Sequence, residues 1–132
     1  MESTKINQKV EEIFKDAEHL YEEAIKELEK EKFRNAAEKS WGATVRATDA
    51  LILARTGEEP MRTDVTTRRL HRLALEDRNV DVKIVGRYHT RMNFLHGDCF
   101  YMGICDPIED VKRRIRETKE FIEDAKKLAN TT

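Results

Sequence analysis

The sequence predicts an all-α protein, an antiparallel bundle of four or five helices, and three observations carry that expectation. Apolar residues recur at three- and four-residue spacing in successive stripes. Glycine and proline are scarce, five and two in 132 residues, and several stand where the stripes stop. Charged and apolar residues each make up 39% of the chain, the balance of long amphipathic helices and not of sheets. A chain of this length is expected to form one domain over residues 1–132 and to bury roughly 68% of its unfolded surface without a metal or disulfide staple.

The first stripe runs from Ile6 through Val10, Ile13, Phe14, Ala17, Leu20, Tyr21, Ala24 and Ile25 to Leu28, with Glu and Lys alternating on the outer face as a solvated surface. After Glu29-Lys30-Glu31-Lys32 the second carries Phe33, Ala36, Ala37, Trp41, Thr44, Val45, Thr48, Leu51 and Ile52. Its small residues, Ala36, Ala37, Ser40, Gly42, Ala43 and Ala47, allow another helix close approach, and Trp41 is expected in the core. Gly57 suits the end of that helix, and a polar connection to Arg62 follows. Thr63 or Asp64 is expected to cap a third helix bearing Val65, Leu70, Leu73 and Ala74, with a basic opposite face. A fourth begins with Val80, Ile84, Val85, Tyr88, Met92 and Leu95 and is expected to end near Gly97-Asp98. Asp106-Pro107-Ile108-Glu109 reads as the start of a final helix with Asp106 as cap. Arg113, Arg114 and Arg116 on that helix are balanced by acidic neighbours and read as surface.

Composition also limits function. Twenty-five basic against 26 acidic residues give a net charge of −1, so the chain as a whole exerts no pull on nucleic acid. No stretch approaches ~20 apolar residues, so no membrane partner is expected. Cys99 and Cys105 lack metal-site spacing, and no secretion-type segment opens the chain. Reduced thiols, a cytoplasmic location, no metal and no cofactor are the expectations.

Chemistry concentrates in Arg87-Tyr88-His89-Thr90-Arg91-Met92-Asn93-Phe94-Leu95-His96 on the fourth helix. Residues five apart on an α-helix lie about 140° apart around the axis, near enough in height for Arg91 and His96 to bracket one phosphate over the helix end. An imidazole moves protons and a guanidinium clamps phosphate oxygens, so Arg91, His96 and Asn93, supported by Arg87, are the candidate equipment for metal-free RNA cleavage. The run Arg68, Arg69, His71, Arg72 is the densest basic patch and a candidate track for an RNA backbone, and Tyr101 is a candidate base-stacking aromatic. His71 and His89 read as surface or partly buried histidines.

Arg91-x4-His96 near a helix end resembles the signature of the HEPN superfamily. Ala37-Glu38-Lys39-Ser40-Trp41-Gly42-Ala43 with Leu95-His96-Gly97-Asp98-Cys99-Phe100-Tyr101 resembles, more closely, the archaeal PaREP1 family grouped with it. The resemblance spans about Glu18 to Leu128 and implies a HEPN-like bundle that acts as a homodimer with two Arg/His motifs facing one another. It implies RNA binding and metal-independent endoribonuclease activity, as in toxin–antitoxin systems. The alternatives it carries are a non-catalytic nucleotide-binding module, a partner of a nucleotidyltransferase, or a purely structural dimer. HEPN nucleases usually carry a polar residue directly after the motif arginine, where this chain has Met92.

Overall fold

A computed structural model describes residues 2–130. They form five helices and no strand: α1 (Glu2–Glu29), α2 (Phe33–Thr56), α3 (Thr63–Glu76), α4 over residues 78–101, and α5 in two lengths (Ile108–Arg116 and Thr118–Ala129) interrupted at Glu117. Helix α4 is continuous but alternates in pitch. Arg78–Val80 and Gly86–Thr90 are α-helical, while Asp81–Val85 and Arg91–Tyr101 open into wider π turns.

Helix α2 lies at the centre and touches all four others. That position explains its composition: Ala36, Ala37, Ala43, Ala47, Ala50 and Leu51 are fully buried, and a side chain at Gly42 would meet Leu20 of α1 at 3.6 Å. Two of its buried hydroxyls are satisfied locally, Thr44 donating to the Ser40 carbonyl and Thr48 to that of Thr44, both at 2.8 Å, while the buried Ser40 hydroxyl has no partner among the described residues. One apolar cluster joins Phe14, Trp41, Leu51, Leu70, Ile84, Tyr88 and Phe121; a second joins Leu28, Ala37, Leu95, Cys99, Val111 and Ile115.

The helix boundaries correct several expectations. Gly57 ends α2 as expected, in the left-handed region at φ 78°, its amide donating to the Leu53 carbonyl. Neither Thr63 nor Asp64 caps α3: the helix opens at Thr63, and the Arg62 carbonyl accepts from the Val65 and Thr66 amides. The Asp64 carboxylate is engaged by Arg62 and Arg68 instead. Helix α4 starts earlier than expected, at Arg78, where the Asp77 carboxylate accepts from the Asn79 amide at 2.9 Å. It also runs past Gly97-Asp98 to Tyr101, because the Met102 amide reaches back five residues to the Gly97 carbonyl at 3.0 Å. Asp106 does not cap α5. Pro107, after a cis bond, holds the cap position, and its carbonyl accepts from Asp110 and Val111.

The expectation of reduced thiols is also corrected. Continuation of α4 through Cys99 and the return of the chain at Gly103 (φ 74°) place Cys99 against Cys105, and the two are joined in a disulfide. The Arg34 guanidinium from α2 donates to the Phe100 carbonyl at 2.9 and 2.7 Å, satisfying a helix-end acceptor and tying the end of α4 to the start of α2.

Asp49 is a buried acid beneath the α2–α3 contact, accepting from the Thr66 hydroxyl at 2.6 Å. Burial holds its pKa above the usual carboxylate range, against the opposing hydrogen bond from Thr66 and the charges of Arg46 and Arg69. A raised folded-state pKa means that the native state binds this proton more tightly than the unfolded chain, so the group disfavours folding increasingly as pH rises through its carboxylate range. Asp49→Asn keeps the acceptor and removes the charge. It is expected to melt above wild type at pH 7, by about 2–5 °C, and to converge with it near pH 3 in parallel thermal melts.

Candidate functional site

Helices α2, α3 and α4 enclose a cleft of about 580 Å³, lined by Glu38 and Trp41 of α2, Thr63, Asp64, Thr67 and Arg68 of α3, and Met92 and His96 of α4. Its central feature is a carboxylate–imidazole pair, with His96 Nδ1 2.7 Å from Glu38 Oε1. A carboxylate accepts only, so Nδ1 carries a proton, and in the neutral ring Nε2 then presents its lone pair. The ring is held further by Trp41, at 5.9 Å between centroids, and by Phe100, stacked at 6.1 Å. Both members of the pair are about one-third exposed, so the imidazole is fixed and still reachable from solvent.

The rear of the cleft is a polar seam on an apolar floor. Tyr88 is fully buried, edge-on to Trp41 at 5.1 Å, and its hydroxyl meets that of Thr67 at 2.8 Å. Burial raises the phenol pKa, which keeps this group neutral. On the α3 wall Arg68 is exposed and paired with Asp64 at 3.2 Å. Desolvation pushes the Asp64 carboxyl up, but the hydrogen bonds and charges of Arg68 and Arg62 outweigh it and leave the group below its ordinary value.

The residues singled out in the sequence separate into distinct places. His96 and Arg68 share the cleft. Arg91 does not join them and cannot bracket a phosphate with His96: it is 3% exposed, turned towards α5, where Nη1 donates to Thr118 Oγ1 at 2.5 Å and the guanidinium lies 5.7 Å from the Phe121 ring centre. Burial, then the charge of Arg87, pushes its pKa down to about 10. Arg87 lies on the same side, bonded to Asp124 at 2.7 Å and packed over Phe121. Asn93 is exposed and lines no part of the cleft. Arg69 faces the 57–62 connection, donating to the Glu59 carbonyl and pairing with Glu58. Arg72 is exposed on α3, one helical turn beyond Arg68. Tyr101, 74% exposed, stands outside the cleft beside Met102 and Ile104.

Two side-chain pairings lay outside the sequence-based reading. Glu38 stands in a segment singled out in the sequence without a role for the glutamate, and its pairing with a histidine 58 residues away leaves no local signal. His71 and His89, read as ordinary histidines, meet Nε2 to Nε2 at 2.7 Å. Among the described residues no group of three or more metal-ligating side chains occurs, and no helix is long and apolar enough to cross a membrane.

Fold and site together define a small all-α bundle with a carboxylate-oriented histidine in an open interhelical cleft. Residues 12–122 match the family model described as the archaeal PaREP1/PaREP8 family, and the chain belongs to that family. Searches of curated proteins and of solved structures returned no significant match.

Proposed function

We propose that the cleft binds a single-stranded RNA segment and that His96 acts there as the base of a metal-independent endoribonuclease. The observation that carries this reading is the 2.7 Å contact between His96 Nδ1 and Glu38, which leaves Nε2 as the free basic nitrogen of a residue lining the cleft. In this chemistry Nε2 takes the proton of a ribose 2′-hydroxyl and the 2′ oxygen bonds to phosphorus. The P–O5′ bond then breaks, water supplies a proton to the departing oxygen and the hydroxide left behind recovers the proton held at Nε2, leaving a 2′,3′-cyclic phosphate, a 5′-hydroxyl and the neutral imidazole. Arg68, on the facing wall, takes the phosphate-contacting role that spacing alone gave to Arg91, and Arg72 extends the positive edge along α3. The HEPN-like placement and a homodimer belong to this proposal; the exposed Tyr101, Met102 and Ile104 offer an apolar contact to a second copy.

The test is cleavage of single-stranded RNA in the presence of chelator, with an oligonucleotide carrying one 2′-deoxy residue at the cut site as control. Cyclic-phosphate products, loss of the cut at the deoxy position and loss of activity in His96→Ala are expected. Cleavage undiminished in His96→Ala sinks the reading. The burial of Arg91 favours a second reading, a nucleotide-binding module without turnover, possessing the cleft but no motif guanidinium beside the histidine. It predicts thermal stabilisation by nucleotide, lost in Arg68→Ala, and no cut RNA.

A further inference from the structure

His71 on α3 and His89 on α4 stand one helical turn along α3 from the Thr67–Tyr88 seam, outside the cleft. Their Nε2 atoms are 2.7 Å apart and their ring planes cross at 63°. Two neutral imidazoles meet in this way only when one ring, protonated at Nε2, donates into the bare Nε2 lone pair of the other. One ligand lone pair therefore already points into the junction. Moving the donor ring's proton to its own Nδ1 supplies the second, with no net loss of a proton. No carboxylate lies within ion-pairing distance of either ring among the described residues. His71 is exposed and His89 partly so, which leaves the junction open to solvent.

We propose that His71 and His89 chelate a borderline divalent transition-metal ion of the zinc, nickel or copper class at the α3–α4 seam. Two metal–nitrogen bonds of about 2.0–2.1 Å at a tetrahedral angle separate the nitrogens by about 3.3 Å, so the rings need to part by about 0.6 Å, a small side-chain rotation. The two helices hold the ring pair in place, which limits the ordering cost of binding. An all-imidazole donor pair selects against magnesium and calcium, which take oxygen ligands. Water fills the remaining coordination positions.

The experiment is calorimetric titration of the full chain, stripped with chelator, with zinc chloride and in parallel with magnesium chloride, together with electron paramagnetic resonance of the copper(II)-loaded protein. One zinc per chain, no magnesium binding and hyperfine structure from two nitrogens are expected. His71→Gln and His89→Gln are each expected to weaken zinc by about tenfold or more, while His19→Gln and His96→Gln leave it unchanged. Circular dichroism and melting curves check that each variant is folded. Zinc affinity unaltered by both substitutions at the pair, loss of zinc in His96→Gln, or no zinc binding at millimolar metal overturns the proposal. None of these outcomes bears on RNA cleavage in chelator.

Discussion

Glu38→Gln is expected to slow RNA cleavage by about 10²- to 10⁴-fold while leaving RNA affinity within about twofold. The Glu38 carboxylate accepts from His96 Nδ1 at 2.7 Å and so dictates which nitrogen is basic. A glutamine offers an amide N–H at the same place, which favours the tautomer protonated at Nε2. That tautomer cannot receive the 2′-hydroxyl proton, and wrong-tautomer substitutions in oriented histidine sites cost this much in rate. The carboxylate also stabilises the imidazolium once formed, and the variant loses that attraction as well. Single-turnover rates across pH 5–9, with binding measured separately, check the prediction. The slowing should fall on the rate and not on KM. Equal losses in rate and affinity would make Glu38 a structural residue of the cleft, and an unchanged rate would remove it from the mechanism.

Arg91→Met is expected to raise stability. The fall in the guanidinium pKa to about 10 from its ordinary, higher value corresponds to about 3 kcal/mol of charge burial. Because the folded-state pKa is depressed, this cost applies in full at every pH below about 10 and is relieved only above it. Methionine reaches the same slot over Phe121 as an apolar, polarisable chain. The change forfeits the hydrogen bond to Thr118, but Thr118 Oγ1 keeps its own acceptor, the Arg114 carbonyl at 3.2 Å. A net gain of about 1–2 kcal/mol follows, in the range seen when buried charges give way to packed apolar groups. It should appear as a Tm increase of about 3–8 °C. Thr118→Val in the wild-type background removes the oxygen to which Arg91 donates and should cost about 1–3 kcal/mol, yet little in the Arg91→Met background. A fall in Tm for Arg91→Met, or equal costs of Thr118→Val in both backgrounds, would mean that the guanidinium stabilises the α4–α5 contact. Cleavage by Arg91→Met should match wild type, whereas a phosphate clamp would lose most of its rate.

Helix number and order were legible because each outer helix buries one stripe and solvates the rest, the pattern that periodicity reports. Helix α2 was legible through its small residues, though its central position follows only from its four neighbours. The end of α4 was misplaced for a local reason: Gly97-Asp98 is a stop signal for α-helix, but a bond spanning five residues carries the chain through it. The same continuation brings Cys99 round to Cys105, so one misplaced boundary also hid the disulfide. At Asp106-Pro107 the aspartate was expected as the cap, and the proline one residue on holds that position. His96 was legible as a chemical group and Arg91 as its neighbour in spacing. Spacing along one helix does not say which side chain turns to α2 and which to α5, and that choice separates the basic nitrogen of the cleft from a cation stored against Phe121.

The central placement of α2 also orders the molecule in time. Ala47 to Leu53 are buried without a break on the helix that touches all four others, so their amides are expected to meet solvent only when the assembly separates. Their hydrogen exchange should report global opening, whereas the 57–62 connection and the exposed face of α3 exchange through small local excursions. The cleft straddles that division: Glu38 and Trp41 sit on the slowest element and Arg68 on a faster one. The same exchange experiment should find one wall of the cleft fixed and the opposite wall opening locally against it.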